Sequence, residues 1–366
     1  MFGIMGYGRP QRPPGFSLYD FSLCIYPAGK MWLNGLNPYA IPLPYPYPPN
    51  SALLCMLLAA TSLETARMMF LALNICCIGL FAHLCLKLYN IYNIPDRDNH
   101  LFLFDFKSSL LIAMIIGNVF VVNILWVGQT TILFSTALLA SYYFYLRSCE
   151  IPSGILLALA LNKPQLAYTF LLWLVLEKKW KTLVAAMISS VLLGIVPIYN
   201  RGIVTAIRDW VDILPKYTQF VNQEGLWNQF GLQPLFLDFG ININSFIIFA
   251  CSIILVILIH QLYRDINKLR LFGMLTITGL LLGQAGQYDL IIIFSLLPYY
   301  LINIPNKDIN RMALLFLTLL IVNFPRKLLF LSDYRILHHH REITLIIALL
   351  FLLLGPKDQP RDISVS

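Results

Sequence analysis

From residue 51 to residue 355 the chain is a succession of apolar runs separated by short polar breaks. Many of these runs approach the ~20 residues that one helix needs to cross a bilayer core. Lipid offers no hydrogen bonds to an open backbone, so such runs fold as helices that satisfy themselves. Composition agrees: 58% of the 366 residues are hydrophobic and 12% charged, against roughly a quarter charged in soluble domains.

The run Ser51–Leu63 is too brief to span and reads as a partial helix, whereas Glu64–Tyr89 is long enough. Further candidate spans are 103–124, 126–146, 182–199, 245–263, 270–283, 289–303, 310–324 and 342–355. Residues 151–177 are apolar but broken at Asn162-Lys163-Pro164-Gln165, which fits a re-entrant hairpin of two half-helices lining a cavity. The expected fold is therefore an all-α polytopic membrane bundle of about 9–10 transmembrane helices with a re-entrant broken helix and outer-face loops. Residues 1–50, rich in Gly, Pro and Tyr, cannot form one long helix and are expected as an outer loop. Residues 51–355 form the transmembrane domain with a long outer loop at 200–244, and 356–366 a cytoplasmic tail. No internal repeat is visible.

The net charge of +8 does not indicate nucleic acid, because Lys and Arg sit singly or in small groups between apolar runs. They orient the bundle, with the loops carrying Lys87, Arg147, Lys178, Arg264 and Arg311 on the cytoplasmic side. The seven cysteines lack CxxC spacing and read as packing residues.

Polar groups at membrane depth are costly, so they mark candidate sites. They collect on the assigned outer face: Asp20, Gln129, Asn162, Lys163, Asn228, Gln229, Gln287 and Asp289 among others. Asp20 lies among aromatic and apolar residues, where burial suits a carboxylate to general-base work; the alternative is a loop aspartate capping a short helix. Lys163, before Pro164 at the helix break, is placed to meet an anionic lipid phosphate, or to snorkel at a helix end. His338-His339-His340-Arg341-Glu342 lacks HExxH spacing and reads as a basic interfacial loop. Glu64 and Arg67, three apart at the start of a span, are expected to form a helical ion pair facing protein. The aromatic residues of the 200–244 loop suit an interfacial amphipathic element or a sugar platform. Midplane polar groups also suit a transporter or flippase, although the two related halves usual in carriers are absent.

Several stretches together resemble glycosyltransferase family 87, a GT-C-fold group. They are Asp20-Phe21-Ser22-Leu23-Cys24-Ile25-Tyr26-Pro27-Ala28-Gly29, Leu33-Asn34-Gly35-Leu36-Asn37-Pro38-Tyr39, Tyr47-Pro48-Pro49 and Gly128-Gln129-Thr130. Gly154 to Ala160 leading to Lys163-Pro164, and then Trp227-Asn228-Gln229, continue the family's order. The resemblance implies that Asp20 is the catalytic base and that the reaction moves a hexose, often mannose, from a polyprenyl-phosphate donor to a lipid or glycan acceptor. It implies a multi-pass protein of the cell (inner) membrane, needing no cofactor or metal. Tyr39, Gln129, Asn162, Asn228, Gln229, Gln287 and Asp289 are then substrate-binding candidates, and Lys163 the donor-phosphate contact. The sequence departs from the family at Asn228-Gln229-Phe230, where Asn-Gln-Ser is usual, and at Gln287-Tyr288-Asp289, where a histidine is usual. A preceding transmembrane helix is also expected in the family, so the sequence reads as starting late, and an inactive relative is a third reading.

Overall fold

The computed structural model describes residues 18–40, 45–92, 106–223, 229–263, 266–283, 285–302, 309–324 and 334–355. It begins with a short helical arm, in which a π-helical turn over Phe21–Ile25 runs into α1 (Tyr26–Leu33). Gly29 lets the arm press onto α2 (Ala52–Ala59), since a Cβ there would lie 2.2 Å from the Cys55 carbonyl oxygen. Phe21, Trp32, Tyr39, Tyr45 and Phe70 fill the space around it, the Phe21 and Phe70 rings stacked at 4.4 Å. Tyr45 is fully buried, its hydroxyl 2.6 Å from Ser51 Oγ, so this stretch is a packed cap.

α3 (Leu63–Tyr92) is the longest helix, and at its start Arg67 pairs with Glu64 at 2.8 Å as expected, but Glu64 is exposed rather than facing protein. α4 (Phe106–Ile116) and α5 (Val119–Val127) follow, divided at Gly117-Asn118, where Asn118 Oδ1 accepts from the Phe120 and Val121 amides and restarts the helix. After α6 (Thr131–Leu146) come α7 (Glu150–Ala160) and α8 (Pro164–Leu176), two apolar helices of 11 and 13 residues separated at the expected break. α9 (Trp180–Leu193) packs on α7 across Gly154, whose added Cβ would meet the Thr182 carbonyl oxygen at 2.3 Å.

The expected span 182–199 is bent. α9 and α10 (Ile195–Arg201) meet at 62°, because Gly194 resists helix and Pro197 removes an amide donor and clashes with the preceding turn. α11 (Ile203–Gln223), β1 (Gln229–Phe230) and α12 (Leu232–Asp238) build the long loop. α13 (Ser245–Leu262) and α14 (Lys268–Leu282) lead to β2 (Ala285–Gly286), which pairs antiparallel with β1, Gln229 opposite Gly286.

The expected span 289–303 is not a regular α-helix. Gln287–Leu296 winds as a 3-10 helix before α15 (Leu297–Leu301), and every residue from Asp289 to Leu301 is buried. The tighter coil rises about 2.0 Å per residue, so it threads the bundle with fewer residues than an α-helix would. α16 (Ile309–Asn323), α17 (Arg335–His338) and α18 (His340–Leu354) complete the described chain.

The histidine run is also not an interfacial loop. His339, Arg341 and Glu342 are buried at the junction of α17 and α18, where His339 Nε2 lies 3.1 Å from the Asp238 carboxylate and Arg341 donates to Gln287 Oε1 at 3.0 Å. Mutual pairing offsets the cost of burying these groups.

By length and apolarity α3, the run Phe106–Val127 and α13 are each able to cross a membrane, and the bent α9–α10 pair is long and apolar enough for a fourth crossing if its two helices act as one span. Shorter apolar helices fill the bundle around them. The protein is an all-α polytopic membrane protein, and the two-residue β1–β2 ladder is its only sheet among the described residues. Cys55, Cys77 and Cys85 pack inside as expected, while Cys76, Cys149 and Cys251 are exposed.

Candidate active site

The site is built on the turn between α5 and α6. α5 ends at Gly128, which has φ +79, a left-handed conformation that glycine adopts without strain. That turn receives the start of the arm: the Leu18 amide donates to the Trp126 carbonyl at 2.8 Å, and a Cβ on Gly128 would lie 2.8 Å from Leu18 Cα. Docking at this distance brings Asp20 beside Gln129.

Three consecutive residues then make three separate connections. Gln129 Nε2 donates to Asp20 Oδ2. Thr130 Oγ1 donates to the Tyr47 hydroxyl at 2.8 Å. Thr131 Oγ1 donates to Asp289 Oδ1 at 2.8 Å and accepts from Lys163 Nζ, which also pairs with Asp289. Asp289 is further held by the Gly286 amide at 2.9 Å, and Lys163 Nζ lies 4.7 Å from the centre of the Tyr288 ring.

Electrostatically this is a buried ion pair beside an oriented carboxylate. Asp289 is 0% exposed and Lys163 5%, so each is costly to bury without the other. Asp20 makes no capping bond to the helix it precedes, which removes the capping reading; its carboxylate meets a neutral amide instead. Burial pushes the Tyr47 phenol well above its ordinary range, the negative potential of Cys24, Tyr217 and Asp20 adds to this, and the Thr130 contact opposes it. Tyr47 therefore stays protonated.

The other sequence candidates sit around this centre. Tyr39 donates to the Tyr47 carbonyl at 3.1 Å, one layer behind it. Asn162 is buried, with Nδ2 bonded to the Leu159 carbonyl at 2.9 Å and Oδ1 unbonded among the described residues. Gln229 lies on β1 opposite Gly286, and Gln287 accepts from Arg341. Asn228 and Trp227 lie outside the described residues.

Sequence reasoning named Tyr47, Thr130, Tyr288 and Arg341 only within longer stretches, not as site residues, and did not name Thr131. Thr130 and Thr131 follow a glycine turn at a helix start, a position whose hydroxyls face away from the helical ladder. Tyr288 stands between two residues already singled out. No grouping of His, Cys, Asp and Glu able to hold a metal occurs among the described residues.

The arrangement offers a carboxylate fixed to accept a proton and, two residues along the same helix start, an ammonium fixed by its partners. The model of glycosyltransferase family 87 matches residues 45–284. No curated protein matches. No solved structure matches.

Proposed function

This chain belongs to glycosyltransferase family 87, and we propose that it is a hexosyltransferase of the GT-C type, moving mannose from a polyprenyl-phosphate donor to a lipid or glycan acceptor. The reaction takes place on the extracytoplasmic face of the cell membrane, with residues 1–50 as the outer loop that carries the base. The carrier reading is less well supported, since the family match covers most of the helical bundle.

The acceptor hydroxyl oxygen attacks the anomeric carbon as the bond from that carbon to the phosphate oxygen breaks. The bonding pair leaves with the phosphate, and the hydroxyl proton passes to Asp20. One displacement inverts the anomeric centre. An ammonium has three N–H donors; Lys163 directs two to Thr131 Oγ1 and Asp289 Oδ1, and the third is assigned to a phosphate oxygen, where negative charge develops. Asn162 Oδ1, Gln229 and Gln287 are assigned to sugar hydroxyls, with Tyr39 supporting Tyr47 behind them and Asn228 as a further contact.

The observation that carries this reading is the convergence of Asp20 and Lys163 on one helix start, at Gln129 and Thr131, two residues apart. The test is transfer of labelled mannose from polyprenyl-phosphate-mannose in membranes containing the chain, in parallel with Asp20→Asn. Transfer lost in the variant at equal expression supports the base assignment. Equal transfer by both removes Asp20 from the chemistry, and transfer by neither removes this donor.

A further inference from the structure

α11 divides into three faces at the ~100° per residue of an α-helix. Ala206 and Ile213 are buried, with Trp210 half-buried on the same side, its indole donating to the Pro46 carbonyl at 2.9 Å. Thr205, Arg208, Asp212 and Lys216 lie together on a second, exposed face. The third face is apolar and exposed: Ile203 is 48% exposed, Val204 66%, Ile207 48% and Val211 49%.

An exposed apolar arc of this kind next to a charged one is the pattern of a helix lying along a membrane surface. A helix facing water alone would leave four large aliphatic side chains unburied. The arc also has a continuation. α9 and α10, together long and apolar enough for one bent crossing, expose Met187, Ile188, Leu192 and Ile195 along their length, and Tyr199 near the end of α10. α11 starts directly after Gly202, so its apolar arc follows on from that exposed apolar surface.

We propose that α11 rests in the headgroup layer of one leaflet, with Ile203, Val204, Ile207 and Val211 against the acyl chains and Arg208, Asp212 and Lys216 toward water. The occupant of the face is the phospholipid surface itself, and the proposal does not depend on the transferase reading. Through Trp210 and Pro46 the same helix braces the segment carrying Tyr47, so it forms the wall between bilayer and site.

The test uses the full chain in vesicles of phosphatidylcholine and phosphatidylglycerol, with Cys24, Cys76, Cys149 and Cys251 replaced by Ser and an environment-sensitive fluorophore on a single new cysteine. Val204→Cys and Val211→Cys test the apolar arc, and Asp212→Cys the polar one. Spin-labelled lipid with a shallow acyl label is expected to quench the two valine sites at least about twofold and to leave the Asp212 site nearly unchanged. Iodide in the water phase is expected to give the reverse order. Valine sites quenched by iodide and not by lipid would overturn the proposal in favour of a water-facing helix. Valine sites reached by neither quencher would overturn it in favour of a protein partner. Two valine positions guard against one variant that misfolds, and monodisperse elution of each labelled chain shows that it has folded.

Discussion

Gln129 holds the Asp20 carboxylate by a hydrogen bond that joins residues 109 positions apart in sequence. The contact fixes the direction in which Asp20 presents its oxygens without neutralising it, which is what a base requires.

Gln129→Ala removes a donor to a charged group, a loss of about 1.5 to 3 kcal/mol. If that orientation is used in the transition state, kcat falls about 10- to 100-fold while KM changes little. Steady-state transfer assays on the purified variant give the two constants separately. Unchanged kcat would show that Asp20 is oriented by other contacts.

Lys163 and Asp289 should be strongly coupled in stability. Lys163→Met or Asp289→Leu alone leaves a buried charge without its partner and costs about 3 to 5 kcal/mol. The double variant Lys163→Met with Asp289→Leu costs clearly less than the sum, because no charge is left behind. Thermal unfolding of the four proteins in one detergent completes the cycle, and additive effects would argue against a functional ion pair.

Gly128→Ala combines a residue forced to positive φ, worth about 1 to 2 kcal/mol, with a Cβ 2.8 Å from the Leu18 backbone. The arm must then shift, and Asp20 with it. The expected result is a large loss of transfer with a smaller loss of melting temperature, together with faster proteolysis near residue 18. Retained activity would mean that the arm is not fixed by this turn.

The cap has its own pH signature. Burial raises the phenols of Tyr39, Tyr45 and Tyr47 above their ordinary value of 10.0. In the unfolded chain these groups ionise near that value, whereas in the folded chain they do not, so their contribution to stability is complete below it and is lost as pH rises above it. Melting temperature should fall on passing pH 10, and Tyr45→Phe should lessen that fall. A fall that is the same in the variant would show that Tyr45 ionises freely.

Much of the bundle could be read from sequence because its cause is local. Apolar runs place the helices, and the Asn162–Gln165 break separates α7 from α8 as expected. The bend at Gly194 and Pro197 was written in the sequence as well, but a run of apolar residues masks it. The 3-10 winding of Gln287–Leu296 has no comparable local mark, since its burial depends on helices distant in sequence. Within the site, Asp20, Gln129, Lys163 and Asp289 stand out because charge or amide in an apolar setting is conspicuous. Thr130, Thr131 and Tyr47 do not, because hydroxyls and phenols are ordinary in such segments and acquire importance only through the partners that folding brings to them.

A π turn is an α-helix with one residue inserted. The turn at Phe21–Ile25 therefore shifts everything before it by about 100° relative to the register of α1. Deleting a single residue from it would restore ordinary helical phase and swing Asp20 away from Gln129 while leaving α1 in place. Lineages could thus gain or lose this geometry through one codon, with the arm's packing on α2 kept intact.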